Sequence, residues 1–533
     1  MTHVRRDPAS AASGSDHETA PPLDGPVSRR WFLNRMAWVS SAAAAGTLFA
    51  RVPGVASPTG PVVTEEAFGE SVRLQDVGEL TELTVSQSMT LIRNGTLSPA
   101  ELIEAYVDRI DIYDDVYQAF AARPGRATVL AEAERIPVGG VDAPLRGIAL
   151  APKDNFYTSD LLTEGGSRVF EGFRPDYDGT AISLFRAAGG VIVGKAQMGN
   201  LAGGRARRYG TTIPTTRNAW TPNDVGYSPG GSSSGTGTAV TARLAAAGIG
   251  TQTGGSVLGP GNAQGLTTLK PTFGRISLHG VIPLSYTRDH VGPMARNALD
   301  AAILLQVLAQ PDPLDPRTLG LPKPPNYALA ATPFGGDRPR VRWPTRVGIW
   351  PGYLSDDDGR TAELRRALVS ELERTPGVTI VPEVTLPDDF EMLSASPLGG
   401  SHGDPTAFFI EHLRRDVRLF ADRLPRFLNG MLQSADTYVK VQQARHLLLE
   451  RMVSQLFNQC DVVLTSSTGA FDGTGLPLMG FPIGFDTDED TGRRVPRGSA
   501  IGAGPFGEER LLAVVAAYQA VTDFHRERPE DPA

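Results

Sequence analysis

The sequence predicts an α/β protein: a central sheet with helices on both faces. Three observations carry this. Helical and strand-like patterns alternate along the chain, which is how a sheet with crossover helices is written. The 59 glycines and 42 prolines supply the many turns that a sheet with long connecting loops needs. Hydrophobic residues at 41% and charged residues at 21% match an ordinary globular protein rather than a disordered one.

Ser98-Pro99-Ala100-Glu101 has the form of a capping box with proline at the first helical position, and Leu102, Tyr106 and Ile110 fall on one face of the helix it opens. Arg146 to Ala151 reads as a short buried strand that delivers Lys153 to its end. A helix around Ile182 to Ala188 and the strand Gly190 to Gly194 form half of a crossover. Ala239 to Ala247 reads as a helix leading through Gly248-Ile249-Gly250 to a second serine motif, and Ala298 to Ala309 as an amphipathic helix. The Pro-rich stretch 311–344 reads as a surface connection, followed by a strand Thr345 to Trp350, a helix Glu363 to Glu373 and a strand Val378 to Val381. Residues 388–436 are less regular and are expected to cover the substrate entrance. A long helix Tyr438 to Phe457 precedes the strand Val462 to Thr465.

The net charge of −8 provides no global basic field for nucleic acid or an anionic membrane. Ser28-Arg29-Arg30-Trp31-Phe32-Leu33, an apolar run from Met36 to Ala50 and the small-residue site Gly54-Val55-Ala56 read as a twin-arginine signal over 1–56. The expectation is export by the twin-arginine (Tat) machinery of a bacterium to the periplasm or the medium. Cleavage would follow Ala56, with Ala50 and Ser57 as alternatives, then a linker 57–78. The apolar run is shorter than the ~20 residues a membrane span needs. The single cysteine, Cys460, rules out an internal disulfide and a lipidated cysteine after the signal, so no stable membrane anchor is expected; beside Val462-Val463-Leu464 it reads as a buried small hydrophobe.

The chemistry concentrates in Gly230-Gly231-Ser232-Ser233-Ser234-Gly235, in Thr253-Gly254-Gly255-Ser256 and in Ala151-Pro152-Lys153-Asp154-Asn155. A lysine activates a serine only if burial leaves it neutral, and glycines let backbone amides approach a developing oxyanion. Both are requirements of acyl transfer.

These residues resemble the amidase signature family. The two serine motifs are spaced as in that family, and the text from Leu269 to Arg275 and from Gly292 to Arg296 is also similar, as are Leu80 to Ile112, Gly475 to Asp486 and a closing helix ending at Asp523-Phe524-His525. The resemblance implies the amidase signature fold, a large mixed central sheet, in a single domain over 79–528 with a core near 146–300 and a tail 529–533. It implies a Ser-cisSer-Lys triad of Lys153, Ser232 in a cis peptide, and Ser256 as nucleophile. The N–H groups of Thr253, Gly254, Gly255 and Ser256 would hold the oxyanion. No cofactor is implied. The chain departs from the family at Ser234, where glycine is usual, and at Gln197 and Asn200, which puts substrate preference in doubt.

Other readings are weighed against this one. Gly231-Ser232-Ser233-Ser234-Gly235 fits the nucleophile elbow of a Ser-His-Asp α/β-hydrolase, with Ser233 as nucleophile, but Pro229 argues against the strand such an elbow must follow. A flexible linker fails because the run lies inside a compact domain, and a phosphate loop fails because no Gly-Lys-Ser/Thr follows. Asp486 to Gly492 departs from a calcium loop and reads as a hairpin turn, and the eight histidines show no zinc spacing, so no metal is expected. The expected function is an exported amidase acting on small aliphatic or aryl amides, amino-acid amides or C-terminal peptide amides. The alternatives are an amidotransferase A-type subunit that releases ammonia for tRNA transamidation, and a catalytically silent binding protein. Ser233, Ser234 and Arg207 are candidate substrate-binding residues, with Arg205 and Arg208 in the same basic cluster as Arg207. Oligomeric state is unreadable.

Overall fold

The computed structural model describes residues 72–137, 143–206, 215–332, 334–336, 338–355, 359–399, 402–487 and 492–532, all within one compact unit. The signal 1–56, most of the linker, Arg207, Arg208 and the tip 488–491 lie outside the described residues. Among the described residues, twelve strands are β1 Phe120–Ala122, β2 Ala149–Pro152, β3 Val191–Ile192, β4 Lys195–Ala196, β5 Ala247–Gln252, β6 Thr267–Lys270, β7 His290–Ala295, β8 Thr345–Ile349, β9 Val378–Val381, β10 Val462–Thr465, β11 Leu478–Thr487 and β12 Arg494–Ala503. Ten of them form one mixed sheet in the order β3-β2-β5-β7-β6-β11-β12-β10-β8-β9, and β1 pairs with β4 in a small second sheet.

The flanks of the large sheet are parallel (β3/β2/β5 and β10/β8/β9) and its middle is antiparallel. β2, β5, β7 and β10 are buried along their whole length, so they read as continuous small and apolar runs without alternation, the pattern of strands covered on both faces. This topology gathers the motifs. β2 and β5 run parallel, with Pro152 opposite Ile249, so both carboxyl ends open on the same sheet edge. β7 runs antiparallel to β5 with His290 opposite Gln252, which brings the start of β7 to that edge as well. Ligands of open α/β sheets bind outside the carboxyl ends of such strands.

The predicted capping box is present: Ser98 Oγ accepts the Glu101 N–H at 3.2 Å, the Glu101 carboxylate accepts the Ser98 N–H at 2.8 Å, and the helix Pro99–Tyr117 buries Leu102, Tyr106 and Ile110. The helix Ala298–Leu308 is buried on nearly every face, and Asp300 at its start holds the helix Val85–Arg93 by accepting the Val85 and Ser86 N–H groups, each at 3.0 Å. The β11/β12 hairpin pairs Thr487 with Arg494, flanking the turn expected there. Cys460 is fully buried.

Several expectations need correction. The helix after the first serine motif spans Ser234–Thr241, earlier than expected, because the chain turns at Arg243 with φ at 58° and Ala247 already belongs to β5. The strand expected over Gly190 to Gly194 is only Val191–Ile192. The Pro-rich stretch carries a helical turn Tyr327–Ala330 whose Tyr327 is fully buried, so part of it is core. The closing helix ends at Gln519, before Asp523. The region 388–436 is regular: Phe390–Gly399, Gly403–Arg415 and Leu424–Leu432 are helices, and a further helix starts at Ala435. Its charged outer faces mask the apolar spacing that buries Phe409 and Phe427.

Replacing Asp300 by Ala leaves two buried N–H groups without an acceptor. The expected cost is about 2–4 kcal/mol in chemical denaturation; an unchanged unfolding midpoint would show that the contact contributes nothing.

Candidate active site

Lys153 follows β2 directly. Its N–H donates to the Ile249 carbonyl at 3.0 Å, which extends the parallel pairing by one residue and turns the side chain into the sheet edge. The side chain is fully buried. Its Nζ lies 2.7 Å from Ser232 Oγ, 2.9 Å from Thr251 Oγ1 and 3.2 Å from the Thr251 carbonyl. Both protonation states fit this cage. An ammonium donates one proton to each oxygen; a neutral amine donates two to Thr251 and accepts the Ser232 hydroxyl proton. Burial pushes the amine down to about 7 from its usual 10.5, opposed only by the Asp289 carboxylate. Asp154, adjacent in sequence, turns away to Lys195 at 3.4 Å and to the Glu164 N–H at 3.1 Å, so it is not the partner its position suggests.

The Gly231–Ser232 peptide is cis, and Ser232 is fully buried. Gly230 has φ at 77°, and a Cβ there would run into the Pro260 backbone, so this turn requires glycine. Ser233 and Ser234 are also fully buried. Ser233 Oγ faces the Thr251 carbonyl at 3.5 Å, and Ser234 Oγ donates to the Gly230 carbonyl at 2.7 Å. Both therefore brace the loop, and no hydrogen bond joins the Ser233 hydroxyl to a histidine among the described residues, as a nucleophile elbow would need.

Ser256, half-buried, sits in the loop between β5 and the helix Leu258–Gln264. Its carbonyl accepts the Ser233 N–H at 3.3 Å, which ties the two serine motifs together. Gln252 closes the loop from below: Oε1 accepts the Val257 and Leu258 N–H groups at 2.9 and 3.0 Å, and Nε2 donates to Asp472 at 2.7 Å. Thr253 Oγ1 donates to Asp289, whose other oxygen accepts the Leu284 and Ser285 N–H groups. A Cβ on Gly254 or Gly255 would meet nothing within 4 Å, so open space lies over this backbone. Among the described residues, Gly254, Gly255 and Ser256 donate none of the backbone hydrogen bonds. The arrangement offers a low-pKa amine on one hydroxyl, a second hydroxyl in the adjoining loop, and open space over the glycines beside it.

Sequence reasoning missed Thr251, Asn155, Gln252, Asp289 and Asp472. Asn155 donates to Thr251 Oγ1 at 3.0 Å and so orients the cage around Lys153. Thr251 and Gln252 carried a signal in their place at the end of β5, just before the second motif; Asp289 and Asp472 are brought in from far along the chain. Arg205 donates to the Val225 and Gly226 carbonyls. Among the described residues no cluster of His, Cys, Asp or Glu could hold a metal, and no helix is long and apolar enough to cross a membrane.

The Lys153 shift has a consequence for stability. Between about pH 7 and its unfolded value, the unfolded state binds a proton the folded state does not, so stability rises with pH by up to about 1.4 kcal/mol per unit. Lys153→Met removes this contribution. Wild type minus variant stability should therefore increase as pH rises above 7, and parallel curves from pH 7 to 10 would refute the depressed value.

The chain matches the Amidase family over residues 101–476. It is 33% identical over 505 residues to the A-type subunit of glutamyl-tRNA(Gln) amidotransferase from Chloroflexus aggregans, covering 85% of this chain and 99% of that one. It is 30% identical over 489 residues to the putative amidase AmiD of Mycobacterium tuberculosis, covering 85% and 97%. The crystal structure of native peptide amidase from Stenotrophomonas maltophilia superposes with a TM-score of 0.67 at 26% identity, covering 85% of this chain and 98% of that one. The chain thus belongs to the amidase family and is an amidohydrolase.

Proposed function

We propose that the protein hydrolyses linear carboxylic amides through Lys153, Ser232 and Ser256. The observation that carries this reading is the 2.7 Å contact between a fully buried lysine and Ser232 Oγ. Neutral Lys153 takes the Ser232 proton as Ser232 takes that of Ser256, and Ser256 Oγ attacks the carbonyl carbon. The oxyanion is held by N–H groups in the run Thr253 to Ser256, each donor contributing about 3 kcal/mol. The relay then runs backwards: Lys153 returns its proton through Ser232 to the leaving nitrogen, releasing ammonia or an amine. Water opens the acyl-enzyme by the same route. Thr251 and Asn155 keep Nζ in place in both protonation states.

The similarity to A-type amidotransferase subunits favours a second reading, an ammonia-releasing component of a tRNA-dependent complex. Its substrates and partners are cytoplasmic, whereas Arg29-Arg30 and the apolar run behind it support export through the Tat machinery. Residues 1–56 fused to a reporter should direct it out of the cytoplasm, and Arg29→Lys/Arg30→Lys should retain it; equal distribution of the two fusions would remove the export argument.

A fluorophosphonate probe should label Ser256, as located by peptide mass spectrometry. Lys153→Ala should abolish labelling and reduce kcat roughly a thousandfold or more. The rate kcat/KM should rise with pH through about 7, as Lys153 loses its proton. Labelling at Ser233 instead, or a flat profile from pH 5 to 9, would sink the scheme.

A further inference from the structure

Arg288, Arg423 and Arg426 gather beside the loop of Thr253 and Asp289, near the carboxylates of Asp289, Asp404, Asp422 and Asp472 but, among the described residues, in no direct ion pair with them. Arg288 immediately precedes Asp289 and is 4% exposed. Arg426 lies on the helix Leu424–Leu432, which packs against the helix Gly403–Arg415 through Thr406 Oγ1 and the Phe427 carbonyl at 3.0 Å. That second helix is anchored to the 285–289 turn by Asp404, which accepts from Ser285 Oγ at 2.6 Å. Arg423 lays its guanidinium over Gly203, and the neighbouring Gly204 carbonyl closes on Gly231, just before Ser232.

The Nε of each of these three arginines is buried with no hydrogen-bond partner, and His402 Nδ1 shares that condition. The surrounding acids attract these guanidinium groups from a distance, while their hydrogen bonds go to neutral donors. Asp289 holds Thr253 and two backbone N–H groups, Asp404 holds Ser285, Thr287 and Tyr438, Asp422 holds Asn200, and Asp472 holds Gln252. Burial, and then repulsion from Arg423 and Arg288, hold the Arg426 guanidinium down to about 10; burial first, then Arg426 and Arg288, also lower His402. Clustered guanidinium groups whose buried Nε atoms lack a direct acceptor are matched by a planar anion, for which their fork geometry is suited.

Resting on the amidase reading above, we propose that the substrate amide carries a second group, a free carboxylate, bound by Arg426 and Arg288 with Arg423 beside them. Recognition of this anion makes carboxylate-bearing amides the preferred class over neutral amides of the same length. The carboxylate can sit on the acyl side, as in glutaramate, or on the amine side, as in N-butyrylglycine.

The test compares kcat/KM for glutaramate, N-butyrylglycine and their neutral counterparts pentanamide and N-ethylbutyramide, in wild type, Arg426→Gln, Arg288→Gln and Arg426→Lys. Wild type should favour one carboxylated amide over its counterpart, and which one identifies the side. The glutamine variants should lose roughly tenfold or more on that amide beyond their loss on the neutral one, and Arg426→Lys should recover part of it. Calorimetric binding of glutarate to wild type, weakened roughly tenfold or more in Arg426→Gln, reads the same subsite without turnover. No preference in wild type, equal losses on both amides, or glutarate binding unaffected by Arg426→Gln overturns the proposal. Fluorophosphonate labelling of Ser256 reports separately on the amidase scheme, so the two failures are distinguishable.

Discussion

Desolvation of one amine organises this protein. A lysine with no exposed surface and three oxygens around Nζ must have its cost of burial offset by those oxygens, which Ser232 and Thr251 supply while Asn155 orients Thr251. The same burial brings the amine down to about 7, where it can exchange a proton near neutrality. The oxygens that offset the burial of this amine can bond it in either protonation state.

The sheet explains how three remote segments reach that amine. Parallel β2 and β5 open at one edge, and antiparallel β7 begins there, so Lys153, the Thr253 to Ser256 loop and Asp289 converge without long excursions. Side chains then pin the loops: Gln252 takes the N–H groups beyond Ser256, and Asp472 takes Gln252. With those amides committed, open space remains over Gly254 and Gly255. The loop is held from below and left free above, which suits a site that receives a carbonyl oxygen.

The helices from Phe390 onward form a separate layer beside this edge. They dock on the 285–289 turn through Asp404, which also accepts the Tyr438 hydroxyl, and through Arg445, and around a small aromatic cluster of Phe170, Phe409, Phe420 and Phe427. The sheet edge and this helical layer thus meet at the 285–289 turn, one contributing strand ends and the other polar side chains.

Much was legible in the linear chain. The serine motifs and Lys153 sit in glycine-rich or buried strand-end contexts whose local pattern has few uses, and the capping box at Ser98 and the strand at Val462 follow from local propensity and periodicity. The start of the helix at Ser234 was not legible, because its Ser-Gly-Thr-Gly residues have weak helix propensity and form it only when packed and fully buried. Nor was the regularity of 390–432, where short helices with charged faces blur the apolar spacing. The sequence by itself determined the α/β class and the candidate residues Lys153, Ser232 and Ser256 with their glycine-rich or strand-end surroundings. Only the tertiary structure decided that Asp154 serves Lys195, that Ser232 and Thr251 hold the amine with Asn155 donating to Thr251, and that Arg288 and Arg426, far apart in the chain, share one patch. Pairing between residues distant in sequence depends on strand order and helix docking, which local pattern does not encode.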